Sequence, residues 1–433
     1  MIIKRNKYCS ILFGIIIFFL VFDGVRSNIK YNEIISPLKE LTILLLFIEV
    51  LHKQKRIKFI DILGGPMRLF FIYHCLVASI SLIFADFYLI PNAVLTLYKF
   101  SLIFILSVSF YYYEEMTHKP IEKLYKLIIS FTVIYSILNI VSIFIPLPIW
   151  KENNIWFGRF SIGYPTSDTI TLCFSLIILL FKKLYISKSK KISYIILITI
   201  NIIMQVTGSA LILLPLIICT YGVVIIKEKF IKYTFTISIC IITFIFISPF
   251  IGNKIESTLG TQYENAKIVF DAKIKNFIEG EEAGNLDSKS AHINQYKKAQ
   301  RFINNDIFHN VFGAGITHFT MNANKLSESN QYFHIENMFY VIRICYGIIG
   351  IILYILFFFY LFIRILKVKS ALKEKAFLMS ILAVILVPNT SLVALYLIQV
   401  YGIMAFLISY MAKKIYRRTS NNTIVNQLLP TNI

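Results

Sequence analysis

Apolar residues run through this chain in long blocks broken by short polar segments, and that pattern is the first thing to explain. A helix needs roughly 20 apolar residues to cross the hydrocarbon core of a bilayer. Runs of that kind lie near 8–22, 34–51, 66–88, 92–113, 124–147, 165–181, 192–207, 209–226, 230–250, 337–363, 376–395 and 397–412. They predict about twelve spans, or ten or eleven if the closely coupled pairs merge. One long polar stretch interrupts them, the 86-residue insert Ile251–Glu336. Inside it, Tyr263, Ala266, Val269, Phe270, Ile274, Phe277 and Ile278 recur at helical spacing and predict an amphipathic helix over 261–278. A second helix is expected over 289–304, with Ser288 or Ser290 as its cap, and Gly313-Ala-Gly315 marks a tight turn before Ile316–Phe319.

Composition agrees with this division. Hydrophobic residues make up 57% of the 433 positions, too many for one water-soluble core to hide. The expected fold is an all-α polytopic membrane protein: spans 1–9 over 1–250, a mainly helical extracytoplasmic loop over 251–336, spans 10–12 over 337–412, and a cytoplasmic tail over 413–433.

Charge then orients the spans. The N-terminus and alternate loops hold 27 of the 44 lysines and arginines, against Arg26, Lys30, Lys151 and Arg159 in the intervening short loops. Basic loops stay in the cytoplasm, so both termini are expected there and the insert outside. The insert itself is nearly neutral, with 9 basic and 10 acidic residues, although the whole chain carries +21. The positive charge is therefore a topology signal, and no clustered basic domain with an aromatic platform supports nucleic-acid binding. The first span resembles the charged and apolar parts of a signal peptide, but Phe22–Arg26 offers no small-residue cleavage site, so an uncleaved anchor is expected. Cys9, Cys75, Cys173, Cys219, Cys240 and Cys345 fall within apolar runs and read as small buried residues.

Charged residues inside spans need partners or roles, because each costs about 2.5–3.5 kcal/mol at the bilayer centre. Lys39 and Glu40 are adjacent and read as a pair. Lys99 and Arg343 lie about two turns in from the outer face, where each either snorkels to the interface or binds an anion; Arg68 snorkels to the cytoplasmic side. Arg159 sits beside Trp150, Trp156 and Phe157 in a short outer loop, as a belt residue or a phosphate ligand. Arg301 is the lone arginine of the insert and reads as structural or as a ligand to an anion.

Metal and hydrolase chemistry lack their patterns. The insert's histidines, His292, His309, His318 and His334, show no metal-ligand spacing, and neither a nucleophile elbow nor a phosphate-binding glycine loop is present. No cofactor or metal is expected. What remains is a set of outward arginines, with His334 and Glu336 where the insert re-enters the membrane. Arginine binds diphosphate bidentately, and a Glu or His can serve as general base for a sugar hydroxyl.

Four segments in this order are similar to the O-antigen polymerases and the related O-antigen ligases. They are Gly158–Pro165; Gln205–Ala210, where Ala210 stands in place of the family's usual arginine; Arg301 followed by Gly313-Ala-Gly315; and Glu336-Asn337 followed by Gly347-Ile-Ile-Gly350. Ligases typically carry His where this chain has Glu336, which favours a polymerase. The resemblance implies extracytoplasmic glycosyl transfer at the bacterial inner membrane, from a glycan on undecaprenyl diphosphate to a second lipid-linked repeat unit. It further implies Arg159, Arg301 and Arg343 as diphosphate ligands and Glu336 or His334 as the group acting on the acceptor hydroxyl. A chain-length regulator and a flippase are the implied partners. The rival readings are an O-antigen ligase and a flippase for lipid-linked oligosaccharide.

Overall fold

In the computed structural model the apolar runs become helices almost one for one. The structure describes residues 2–26, 32–54, 57, 62–144, 161–205, 207–225, 297, 300, 307–317, 319, 337–368, 370–390 and 392–428. Over these it forms α1 (Ile2–Arg26), α2 (Asn32–Lys53), α3 (Gly65–Ile83), α4 (Ile90–Tyr111), the short α5 (Tyr113–Thr117), α6 (Ile121–Phe144), α7 (Pro165–Phe181), α8 (Lys188–Met204), α9 (Gly208–Ile225), the short α10 (Ile307–Phe312), α11 (Met338–Lys367), α12 (Leu372–Asn389) and α13 (Ile398–Leu428). Eleven of the twelve expected spans are thereby helices. The ninth run, 230–250, and the helix expected over 261–278 lie outside the described residues; of the helix over 289–304 only Lys297 and Gln300 are described, both helical and exposed.

Among the described residues five helices are long and apolar enough to cross a membrane: Asn6–Val25, Gly65–Ile83, Phe87–Tyr111, Ile121–Ser142 and Met338–Lys367. Pro165–Phe181 and Gly208–Val224 are shorter apolar helices. The others carry charge that their packing explains below. Local signals set several starts: Pro66, Pro91 and Pro165 open α3, α4 and α7, where a missing N–H costs nothing. Ser187 caps α8, and Asn337 caps α11 by accepting from the Tyr340 N–H at 3.2 Å.

The helices sort their polar residues to two ends. At one, Lys53 donates to Asn6 Oδ1 at 3.0 Å and to the Glu115 carbonyl at 3.1 Å, and Lys413 meets Glu114 at 3.1 Å. At the same end Glu374 joins three helices: Lys182 donates to it at 2.7 Å and Tyr410 donates to its other oxygen. These residues belong to the basic segments, so the packing draws those segments together at one end of the bundle. The opposite end, called the loop end here, holds the residues around Asp23, Tyr164, Gln205 and Gly313–Phe319.

At the centre α13 packs along α4, with α7 against both α12 and α13. Apart from Thr166, α7 is buried along its whole length, which its polar residues tolerate only because they find partners. The cysteine expectation holds in part. Cys9, Cys173 and Cys345 are buried and Cys75 partly so, whereas Cys219 is exposed on the apolar surface of α9 and Cys240 lies outside the described residues.

Candidate functional site

Two polar assemblies occupy the loop end. The first is built on Asp168, one turn into α7. Its Oδ2 accepts the Tyr135 O–H at 2.8 Å and the Ser161 hydroxyl at 3.2 Å. Gln205 Nε2 donates to the Tyr135 oxygen at 3.5 Å, and Thr207 meets Thr169 at 3.1 Å. Asn139 ties in the same loop: its Oδ1 accepts the Ile162 N–H at 2.9 Å, and its Nδ2 donates to Asn201 Oδ1 at 2.9 Å. Gly24 and Gly163 press on the Asp168 carboxyl from two sides, so a Cβ on either would run into it. The segments 158–165 and 205–210 are thus brought onto one buried carboxyl, to the extent that they are described.

Neighbouring this assembly are two ion pairs made by consecutive residues of α2. Lys39 donates to both oxygens of Asp23 on α1 at 3.0 Å, and Glu40 pairs with Lys99 on α4. The expectation that Lys39 and Glu40 pair with each other is therefore corrected. Neighbours in a helix point about 100° apart, so each reaches a different helix instead. The snorkelling alternative for Lys99 gives way for the same reason, since a carboxylate lies within reach inside the bundle. These pairs keep two lysines and two carboxylates inside the helices without isolated charge.

The second assembly is where the insert returns. Helix α11 breaks at Gly347, whose φ of 67° no residue with a Cβ adopts comfortably. The break frees backbone carbonyls, and residues 313–315 satisfy them: Ala314 N–H donates to Ile344 O at 2.8 Å and Gly315 N–H to Cys345 O at 3.2 Å. Tyr73 donates to the Tyr346 carbonyl at 3.0 Å and to the Phe312 carbonyl at 3.2 Å. The approach is close enough to demand glycine. A Cβ on Gly313 would strike Cys345 O, and one on Gly347 would strike Val311 O. Gly313 and Gly315 also carry positive φ, of 90° and 78°, as the expected tight turn requires. Asn92 then holds the segment from α4, donating to Thr317 O at 2.7 Å and Phe319 O at 2.6 Å. The third and fourth resemblance motifs are thus two halves of one docking contact.

Beneath this dock, His74 bridges Tyr346 Oη at 2.7 Å and Ser101 Oγ at 3.2 Å. Ser101 gives its own proton to the Leu97 carbonyl, so its oxygen is left to accept from His74 Nε2–H. Nδ1 then accepts from Tyr346, and the imidazole is a neutral strut of the dock.

Arg343 lies on the dock's flank. Its two terminal nitrogens both donate to Asn310 of α10, one to the backbone carbonyl at 2.6 Å and the other to the side-chain oxygen. Lys39 and Lys99 each have a carboxylate, but Arg343 pairs with none among the described residues. It is also the one sequence-predicted site residue that is described. Arg159, Arg301, His334 and Glu336 lie outside the described residues. Described residues close to Arg159 and Glu336 are held: Ser161 by Asp168, and Asn337 by its cap and by donating to Thr390 O at 2.9 Å.

Sequence reasoning missed Asp23, Asp168, Tyr135 and Asn310. The signal for the first two was present, since each is a carboxylate at the end of an apolar run, and asking which acid answers each buried lysine leads to Asp23. Asn310 carried no signal, because its role depends on a contact 33 residues away.

A multi-pass, all-α membrane protein with buried ion pairs and a docked loop is the class these features define. A family model described as O-antigen ligase matches residues 193–355. The match takes in Gln205–Ala210, Arg301–Gly315 and Glu336–Gly350, and leaves out Gly158–Pro165. It bears out the resemblance and supports, at a coarse level, a glycosyl-transferring enzyme of O-antigen assembly. No curated protein matches the chain.

Proposed function

We propose that the protein polymerises oligosaccharide repeat units carried on undecaprenyl diphosphate, acting on the outer face of the bacterial inner membrane. The observation that carries this reading is the charge of Arg343, which no carboxylate answers among the described residues, inside the family-matched segment. A guanidinium at the end of a helical bundle with a neutral partner is poised for an anion, and a lipid diphosphate supplies one at that depth.

The reaction runs at the anomeric carbon of the donor glycan. The acceptor hydroxyl oxygen forms the new C–O bond while the bond to the diphosphate oxygen breaks and its electron pair leaves with the diphosphate. Glu336 or His334 takes the hydroxyl proton. Arg159, Arg301 and Arg343 bear the charge that builds on the leaving group, the point at which fixed donors accelerate most. The basic end of the bundle faces the cytoplasm in this reading, and the loop end faces outward. A flippase and a chain-length regulator are the working partners.

Glu336 in place of the ligase-type histidine favours polymerisation over ligation. The test is a deletion strain complemented with variants at matched expression. Deletion leaves lipopolysaccharide with a single capped repeat unit if the protein polymerises, and with none if it ligates; loss of a flippase strands the substrate on the inner leaflet. Arg343→Ala, Arg301→Ala and Glu336→Gln are expected to shorten or abolish the polysaccharide ladder, with turnover down at least about tenfold. Full-length ladders from all three would sink the assignment.

A further inference from the structure

Asn310 takes hold of Arg343 by both prongs of its fork, through the backbone oxygen at 2.6 Å and through the amide oxygen. A guanidinium has five N–H groups, so three remain for a ligand. Asn310 itself cannot drift. Tyr73 holds the Phe312 carbonyl, and the glycine dock fixes the chain from Gly313 onward. Helix α10 also turns Ile307, Phe308 and Phe312 outward, 84%, 61% and 41% exposed. An exposed apolar face of this kind suits a lipid chain, and here it borders a cation with no carboxylate partner among the described residues.

We propose that Asn310 is a positioning residue that presents Arg343 to the diphosphate of a prenyl-linked donor, while the outward face of α10 carries the first isoprene units of its chain. This rests on the lipid-diphosphate reading above and adds the residue that aims the arginine and the surface that receives the tail. A free phosphate ligand would use the guanidinium alone and ignore that surface.

The test is calorimetric binding to the full-length protein in nanodiscs, with farnesyl diphosphate and inorganic pyrophosphate as probes. Elution profile and thermal midpoint serve as controls for folding. Wild type is expected to bind farnesyl diphosphate at least roughly tenfold tighter than pyrophosphate, one tenfold step being about 1.4 kcal/mol. Asn310→Ala leaves the charge and the backbone acceptor but frees one prong of the fork, and is expected to weaken farnesyl diphosphate roughly tenfold. Asn310→Asp keeps the shape and the contact but neutralises Arg343, and is expected to abolish binding. A merely structural Asn310 would leave the folded alanine variant binding like wild type. That result, with Arg343→Ala still losing binding, overturns the positioning role and leaves the lipid-diphosphate reading standing. Wild-type binding by Arg343→Ala overturns that reading itself, and equal affinity for the two probes overturns the tail surface.

Discussion

Asp168 shows how a single buried carboxyl organises its surroundings. Tyr135 and Ser161 both donate to one of its oxygens, and two glycines give it room. Removing the acceptor takes the shared partner from two buried hydroxyls, and an unmet buried polar group costs about 1–3 kcal/mol. Asp168→Leu is therefore expected to destabilise the protein by about 2–4 kcal/mol, whereas Asp168→Asn, which still accepts both bonds, costs about 1 kcal/mol or less. Thermal unfolding in detergent, followed by size-exclusion of the surviving fraction, checks the order. Asp168→Asn is further expected to keep the polysaccharide ladder, because the carboxyl is buried and its Oδ2 is committed to Tyr135 and Ser161. A folded Asp168→Asn protein without a ladder would give that carboxyl a chemical role.

At the scale of elements, the dock between residues 313–315 and the broken α11 turns a helix defect into a binding contact. Gly347 and Gly313 face each other across it, so either substitution removes the same contact. Gly313→Ala and Gly347→Ala each force a Cβ onto positive φ and into a carbonyl, an expected loss of about 1–3 kcal/mol apiece. Because they share one contact, the double variant is expected to lose clearly less than the sum. Limited proteolysis at 307–319 reads this directly, and full additivity would mean the two glycines act separately. Apolar runs foretell helices because backbone polar groups in hydrocarbon must be satisfied within the segment, and eleven runs duly form helices. The glycines of both motifs were visible too, but their partnership was not, because nothing local to Gly313 says which helix will break to receive it. Lys39 and Glu40 failed for a related reason. Adjacency in sequence looked like pairing, whereas helical geometry sends the two side chains to Asp23 and Lys99. Of the expected site, only Arg343 is described, and its partner Asn310 belongs to that long-range class.

On the scale of the molecule, charge separates the two ends of the bundle, and a single experiment decides which way it sits. Lysines 53, 182, 413 and 414 gather with Glu114 and Glu374 at one end, while the glycine dock and the Asp168 assembly mark the other. Basic segments resist translocation, so the proposed orientation puts the first end in the cytoplasm. Each end offers an exposed residue: Tyr185 at 78% between α7 and α8, its ring beneath the Lys126 ammonium, and Phe87 at 90% ahead of α4. In a background with the native cysteines replaced, Phe87→Cys is expected to react with a membrane-impermeant maleimide added to cells whose outer membrane alone is opened. Tyr185→Cys is expected to react only after the inner membrane is also breached. The reverse labelling pattern would invert the protein. It would also place Arg343 and its dock on the cytoplasmic side, where a lipid-linked donor is still being assembled, and so remove the polymerase reading together with the orientation.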